Sequence, residues 1–211
     1  MDFIHQFIPA ADGGSRRVLL LLHGTGGNEH DMLPIGRHLD SDAGLLSLRG
    51  NVLENGMPRF FRRLAEGVFD EEDVVRRANE LADFLPLAAA KYHFDQTQLT
   101  AVGYSNGANI AAAVLLLRPS TLKSAILLRG MVPITPETEP KLPDTRVLIC
   151  SGTRDSIIPV ENPERLAGML RRAGAAVTLR FEESGHQLVF DEIAAAKNWL
   201  AGRPAAESGI G

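Results

Sequence analysis

The sequence predicts an α/β fold, in which a doubly wound, mainly parallel β-sheet carries helices on both faces. Continuous apolar runs, typical of strands buried on both faces, alternate along the chain with segments of helical periodicity. The 211 residues suffice for one compact domain with a central sheet. The hydrophobic share of 45% and the charged share of 23% are those of an ordinary globular protein.

The predicted strands are apolar runs that end at glycine or polar residues. The run at 3–8 is mixed in character and predicts an antiparallel edge strand at the N-terminus. Six further runs predict the parallel strands, at 17–23, 44–49, 99–104, 124–128, 145–151 and 176–181. Because ligands of open α/β sheets bind beyond the carboxyl ends of the strands, we expect the chemistry just after these runs.

Four segments between the strands have helical patterns, at 71–92, 106–117, 162–173 and 191–200. The first is predicted to kink or break at Pro86. Asn162 and the proline after it are a typical helix start, and Gly174 a typical stop. We predict one α/β domain over residues 1–200 without a large lid domain, and a flexible tail over 201–211.

Composition narrows the function classes. The net charge of −4 gives no electrostatic reason to expect nucleic-acid binding. The single cysteine, Cys150, cannot form an internal disulfide, and its apolar neighbours predict a buried, inert thiol. The N-terminal residues lack the pattern of a secretory signal, and no apolar stretch approaches the ~20 residues of a membrane span. We therefore expect a cytoplasmic protein.

The motif Gly103-Tyr-Ser-Asn-Gly107 lies between a predicted strand and a predicted helix. This is the sequence form of a nucleophile elbow, a sharp turn that exposes the Ser105 hydroxyl at the N-terminus of a helix. The glycines are required because side chains at Gly103 and Gly107 would collide with the neighbouring strand and helix. Ser105 is therefore the candidate nucleophile.

Asp155 and His186 complete a candidate catalytic triad. Asp155 follows the strand at 145–151 and His186 follows the last strand, so the order Ser, Asp, His fits the elbow. Asp155 could instead cap the turn after its strand, and His186 could be a surface histidine. The other histidines are scattered without ligand spacing, so no metal site is predicted.

A glycine-rich turn, His23-Gly-Thr-Gly-Gly27, follows the first parallel strand. It is not a dinucleotide fingerprint, because Glu29 replaces the third glycine, and it lacks the lysine of a phosphate loop. Acyl transfer needs two N–H donors for an oxyanion, and we predict that Thr25 and Asn106 supply them. His23 is predicted to be a structural hydrogen-bonding residue.

These motifs together resemble the α/β-hydrolase superfamily and, within it, the phospholipase/carboxylesterase family. The resemblance covers about 18–200 and implies a Ser105, Asp155, His186 triad with no cofactor. Acyl-protein thioesterases of that family typically have glutamine after the serine, where this chain has Asn106. The segment that begins at Arg49 also differs and is closer to that of bacterial carboxylesterase-like hydrolases.

The sequence thus predicts a serine hydrolase for small or short-acyl carboxylic esters. The alternatives are a lysophospholipase or acyl-protein thioesterase and, more remotely, a noncatalytic binding protein on the same scaffold. The expected partner is a small ester, and a homodimer stays open. The segment 51–69 should set substrate choice, although it could be merely a packed connection. The candidate substrate-binding residues are Gly26, Arg49, Met57, Phe60, Phe61, Met131 and Leu188, with Arg49 or Arg129 as partner for an acidic group.

Overall fold

A seven-stranded sheet forms the centre of the computed structural model, which describes residues 2–11 and 16–203. Six strands are parallel, and the first is an antiparallel edge strand. The sheet order is β1-β3-β2-β8-β9-β10-β11, with β1 His5–Ile8, β2 Val18–Leu22, β3 Gly44–Leu48, β8 Leu99–Tyr104, β9 Ser124–Leu128, β10 Arg146–Gly152 and β11 Ala176–Glu182. The predicted fold class is therefore confirmed.

Five helices in the described part of the chain cover the two faces of the sheet: α1 Leu33–Leu39, α2 Glu71–Tyr92, α3 Asn106–Leu117, α4 Glu161–Arg172 and α5 Phe190–Leu200. Strand β2 shows the division, since Leu20 and Leu22 belong to the core cluster that includes residues of α2, α3 and α4, whereas Leu19 and Leu21 belong to the cluster that includes residues of α1 and α5. Burial on both faces explains why β2 is an unbroken run of leucine and valine.

Two helix predictions need correction. Helix α2 does not break at Pro86, which lies inside it on the exposed face, while Leu81 and Leu85 are buried on the opposite face. This packing outweighs the loss of one backbone hydrogen bond. Helix α4 begins at Glu161, and Asn162 does not cap it, because its side-chain oxygen accepts a hydrogen bond from the Val132 N–H instead.

The segment 51–69 contains two small hairpins that sequence patterns did not reveal. Strands β4 Val52–Glu54 and β5 Met57–Arg59 form one, and β6 Arg63–Ala65 and β7 Val68–Phe69 form the other. Helix α1 was also missed. No lid domain covers the sheet within the described residues, where no helix is long and apolar enough to cross a membrane. Most of the predicted tail, from 204 onward, lies outside the described residues.

The predicted close approach of strand and helix is confirmed at the two motif glycines. A Cβ atom at Gly103 would lie 2.4 Å from the carbonyl oxygen of Gly107, and one at Gly107 would lie 2.0 Å from that of Leu22. The obstructing atoms belong to backbone, so no side-chain rearrangement could relieve the contact. The start of α3 therefore packs directly on β2.

We expect Gly107→Ala to lower the free energy of unfolding by about 3 kcal/mol or more, because the helix must move away from β2. Gly168→Ala is the matched control, since a Cβ there meets only the end of Arg172, at 3.5 Å. Replacing a helical glycine without a clash should raise stability by about 0.5–1 kcal/mol. Urea denaturation of both variants measures this; equal effects would contradict the packing argument.

Candidate active site

Ser105 lies at the junction of β8 and α3 in a strained backbone conformation. Its φ is 51° and its ψ is −112°, in a region that residues other than glycine rarely adopt. Its N–H donates to the carbonyl oxygen of Leu128 at 2.8 Å, which fixes the turn against β9. The side chain is thereby held at the carboxyl edge of the sheet.

The predicted triad residues come together in the folded chain. The Nε2 atom of His186 lies 3.0 Å from Ser105 Oγ, and its Nδ1 lies 2.8 Å from Asp155 Oδ2. The Asp155 side chain is almost fully buried, and that of His186 is one-fifth exposed. A proton on Nδ1 would face the carboxylate and leave Nε2 free to accept the serine proton.

Asp155 also has the turn-capping role that the sequence left open. Its Oδ1 accepts hydrogen bonds from the N–H groups of Ile157, at 2.8 Å, and Ile158, at 3.1 Å. The two roles considered for Asp155 are therefore compatible, because Oδ1 caps the turn while Oδ2 contacts His186. The turn fixes the carboxylate in the orientation that His186 needs.

Arg129 holds the loop that carries His186. It is fully buried and has a positive φ of 56°. Its guanidinium donates to the carbonyl oxygen of Gly185 at 3.0 Å, to that of Gln187 at 2.9 Å and to Ser184 Oγ at 2.9 Å. The backbone is thus fixed on both sides of the histidine, so Arg129 cannot be the contact for an acidic substrate group that the sequence suggested.

Glu192 is the counter-ion of Arg129 and is also fully buried. Both of its oxygens accept from the guanidinium, and Oε1 accepts from the Val189 N–H as well, which ties the start of α5 to the His186 loop. Burial raises the pKa of the Glu192 carboxyl, while the hydrogen bonds from Arg129 and Val189 act in the opposite direction.

The glycine-rich loop after β2 is fixed by His23. The His23 ring bonds to the carbonyl oxygen of Gly24 through Nδ1, at 2.6 Å, and accepts from the Gly50 N–H through Nε2, at 3.0 Å. Burial lowers the pKa of this histidine, which favours the neutral ring that such a pairing requires. The predicted structural role of His23 is confirmed.

The segment from Pro58 to Phe60 contacts the residues of both predicted oxyanion donors. Arg59 Nη1 donates to Thr25 Oγ1 at 2.7 Å, and the Phe60 N–H donates to Asn106 Oδ1 at 2.7 Å. The Pro58 carbonyl accepts from the N–H of the neighbouring Gly26 at 2.9 Å. Within the described chain the N–H groups of Thr25 and Asn106 have no hydrogen-bond partner. Asn106 begins α3, where such groups are free.

A cavity of about 240 Å³ opens beside Ser105 and His186. It is smaller than the ~300–1,000 Å³ typical of pockets for drug-sized ligands. Its apolar wall includes Phe69, Met131 and Ile157. The remaining lining residues are Thr25, Arg59, Arg63, Glu66, Gly67, Tyr104, Asn106 and Asn109.

Among the predicted substrate-binding residues, Met131 lines this cavity and the other six do not. Phe60 and Phe61 are buried in the core, and Leu188 packs on the opposite side of the sheet with α1 and α5. Arg49 is paired with Glu29 through two hydrogen bonds, at 2.6 and 2.9 Å.

The two remaining predicted residues lie in neighbouring loops. Gly26 has its N–H bonded to Pro58 and a φ of 83°, and Met57 packs near it with about two-fifths of its surface exposed. The sequence assigned substrate choice to the segment 51–69 but could not tell which of its arginines meet the cavity, because alternation within so short a hairpin does not define the side that faces it. The structure places Arg59 and Arg63 there.

The described residues give no support for a cysteine nucleophile or for a metal site. Cys150 is buried in β10, and burial raises the pKa of its thiol. Cys150 therefore stays a protonated thiol, which is a poor nucleophile. Among the described residues, no group of three or more His, Cys, Asp or Glu side chains could hold a metal ion.

Comparison with known proteins agrees with this geometry. The sequence profile described as phospholipase/carboxylesterase matches residues 4–202. The chain belongs to the phospholipase/carboxylesterase family. MhqD of Bacillus subtilis (strain 168), whose name assigns it provisionally to the hydrolases, is 51% identical over 187 residues, which are 89% of this chain and 94% of MhqD.

Two solved structures superpose closely on the chain. The Bacillus cereus carboxylesterase is 50% identical with a TM-score of 0.92, and the alignment covers 95% of this chain and 94% of that one. YahD, solved with malic acid, is 32% identical with a TM-score of 0.88, covering 95% and 99%. The protein is thus a carboxylesterase-like hydrolase of the α/β-hydrolase fold.

We expect Glu192→Gln to lower the free energy of unfolding by about 3–5 kcal/mol, because it leaves the buried Arg129 charge without a counter-ion. The control is Arg118→Gln, which breaks the exposed pair of Arg118 with Asp83 and should cost less than about 1 kcal/mol. Urea denaturation distinguishes them. A small effect for Glu192→Gln would show that water or another group replaces the lost charge.

Proposed function

We propose that this phospholipase/carboxylesterase family member is a serine hydrolase that cleaves carboxylic esters with a small acyl group through an acyl-enzyme intermediate. The observation that carries the proposal is the continuous contact from Asp155 through His186 to Ser105 Oγ, at 2.8 and 3.0 Å, beside a cavity. Such a relay is the arrangement that activates a serine hydroxyl.

His186 Nε2 would take the proton of Ser105 as Oγ attacks the ester carbonyl carbon. Asp155 would hold the imidazole in the required tautomer and stabilise the imidazolium that forms. His186 would then give the proton to the leaving alcohol, and the C–O bond to that alcohol would break. In the second half, His186 would activate a water that hydrolyses the acyl-Ser105 ester and restores the free hydroxyl.

The N–H groups of Thr25 and Asn106 are the proposed donors to the oxyanion of each tetrahedral intermediate. Both belong to residues that line the cavity, and the side chains of these residues are bonded to Arg59 and to the Phe60 N–H, respectively. Donors fixed before the reaction need no reorganisation as charge develops, which is why such groups can contribute several kcal/mol, about 3–4, to catalysis.

The size of the cavity favours small substrates. At about 240 Å³, with Phe69 and Met131 as apolar lining, it offers room for a short acyl or small aromatic group. YahD, a relative at 32% identity, was solved with malic acid, a small acid that suits such dimensions. The cytoplasmic location, the absence of nucleic-acid binding and a homodimer stay predictions from the sequence.

Ser105→Ala should lower kcat for p-nitrophenyl acetate by ~10⁴–10⁶ and abolish labelling by a fluorophosphonate probe, because it removes the nucleophile. The control is Ser41→Ala, at an exposed serine whose hydroxyl donates to Asp42 far from the cavity lining. This control should keep both activity and labelling. Circular dichroism would verify that both variants fold. Activity of Ser105→Ala within tenfold of the parent would exclude the proposed nucleophile.

The rate should depend on acyl-chain length in a way that the cavity sets. Each buried methylene contributes ~0.8 kcal/mol, so kcat/KM should rise over the first carbons and stop rising when the cavity is full. We expect an optimum at roughly two to six acyl carbons. The measurement is a series of p-nitrophenyl esters from acetate to palmitate, each below its micelle concentration. A steady rise to palmitate would instead favour a lysophospholipase or acyl-protein thioesterase.

A further inference from the structure

Two arginines, Arg59 and Arg63, line the cavity that contains Ser105 and His186. Arg59 is only 3% exposed, although a guanidinium is among the groups that are most costly to bury. Arg63 lies beside it with about one-third of its side chain exposed. A buried guanidinium normally has a counter-ion and a hydrogen-bond acceptor for each donor. The partners that Arg59 and Arg63 lack therefore indicate which ligand could bind them.

One carboxylate serves both arginines. The Nε atom of Arg59 lies 3.2 Å from Glu54 Oε2, and that of Arg63 lies 2.8 Å from Glu54 Oε1. Only the Arg63 contact has hydrogen-bond geometry, since Glu54 Oε2 has no hydrogen-bond partner. The three side chains together therefore carry one net positive charge. Burial lowers the pKa of Arg59, and the neighbouring Arg63 charge acts in the same direction, while Glu54 acts against both.

Several guanidinium donors are also unused. Arg59 donates from Nη1 to Thr25 Oγ1 at 2.7 Å and from Nε to the Phe61 carbonyl at 3.2 Å. Within the described chain, Nη2 of Arg59 and both terminal nitrogens of Arg63 have no hydrogen-bond partner. Planar guanidinium groups with free terminal N–H pairs match the two oxygens of a carboxylate.

We propose that Arg59 and Arg63 form a subsite for a carboxylate of the substrate, so that the enzyme prefers esters that also carry one carboxylate group. This inference rests on the proposed serine hydrolase function and names its substrate class. A single carboxylate matches the one net positive charge of the cluster of Arg59, Arg63 and Glu54, whereas a phosphate monoester, with a charge of about −1.5 to −2, would exceed it. The exposed carboxylate of Glu66 at the same cavity further disfavours a dianion.

The test compares each anionic ester with its neutral methyl ester. One pair is para-acetoxybenzoate and methyl para-acetoxybenzoate, which place the carboxylate on the leaving group. The other is mono-p-nitrophenyl adipate and its methyl ester, which place it on the acyl group. In at least one pair we expect kcat/KM to be about tenfold or more higher for the anion. This preference should decrease with added salt, because salt screens the attraction.

Arg63→Gln should lower the ratio of anionic to neutral kcat/KM about tenfold in the preferred pair. Arg62→Gln is the matched control, since Arg62 is adjacent, does not line the cavity and pairs with Asp70. It should leave the ratio unchanged within about twofold. Glu66→Gln should raise the ratio, because it removes the acidic group at the cavity.

The outcomes separate this inference from the proposed function. If both esters of each pair are cleaved at Ser105 but neither anion is preferred, or Arg63→Gln leaves the ratio unchanged, the carboxylate subsite is wrong and the hydrolase stands. If no ester is cleaved, the carboxylate subsite is still tested by calorimetric titration of Ser105→Ala with para-acetoxybenzoate and with its methyl ester. Tighter binding of the anion, lost on Arg63→Gln in that background, supports the subsite, and equal binding overturns it.

Discussion

The close contact between the start of α3 and β2 is the constraint on which the rest of the site depends. It permits no Cβ at Gly103 or Gly107, and it forces the chain through a positive φ at Ser105. Such a conformation costs about 1–3 kcal/mol, which the burial of α3 and the hydrogen bond from Ser105 to Leu128 offset. The same contact brings the N-terminus of α3 beside the loop after β2, so the serine and both proposed oxyanion donors are positioned together.

A second buried interaction provides the other half of the site. Arg129 follows β9, yet it contacts the carbonyl oxygen of Cys150 in β10, the backbone on both sides of His186, and Glu192 in α5. A buried ion pair is weak support for stability, because desolvation can cancel the Coulomb attraction. Its effect here is geometric: five donors in one rigid plane hold segments that are far apart in sequence, and the His186 loop is among them.

The sequence predicted the sheet and the triad better than the cavity, for physical reasons. Strands such as 99–104 and 124–128 are buried on both faces, so their apolar runs define their bounds directly, and the elbow motif has steric requirements that only glycine meets. Phe60 and Phe61 were expected in the cavity because they are large and apolar, but the core buries such side chains equally well. What Phe60 contributes to the site is its backbone N–H, which no residue pattern reveals. The short hairpins around it depend on tertiary contacts rather than on local propensity.

The position of Arg59 links the proposed carboxylate subsite to the proposed chemistry. The guanidinium whose Nη2 would meet the carboxylate also donates from Nη1 to Thr25 Oγ1, and the Thr25 N–H is one of the two proposed oxyanion donors. Because the group is planar and rigid, a carboxylate bound at Nη2 would restrict the rotation of Nη1 and thereby of the Thr25 loop. Interactions remote from the reacting bond raise kcat when they fix groups that act in the transition state. A carboxylate at this place would therefore affect catalysis as well as binding, which distinguishes it from a charge attracted only to the rim of the cavity.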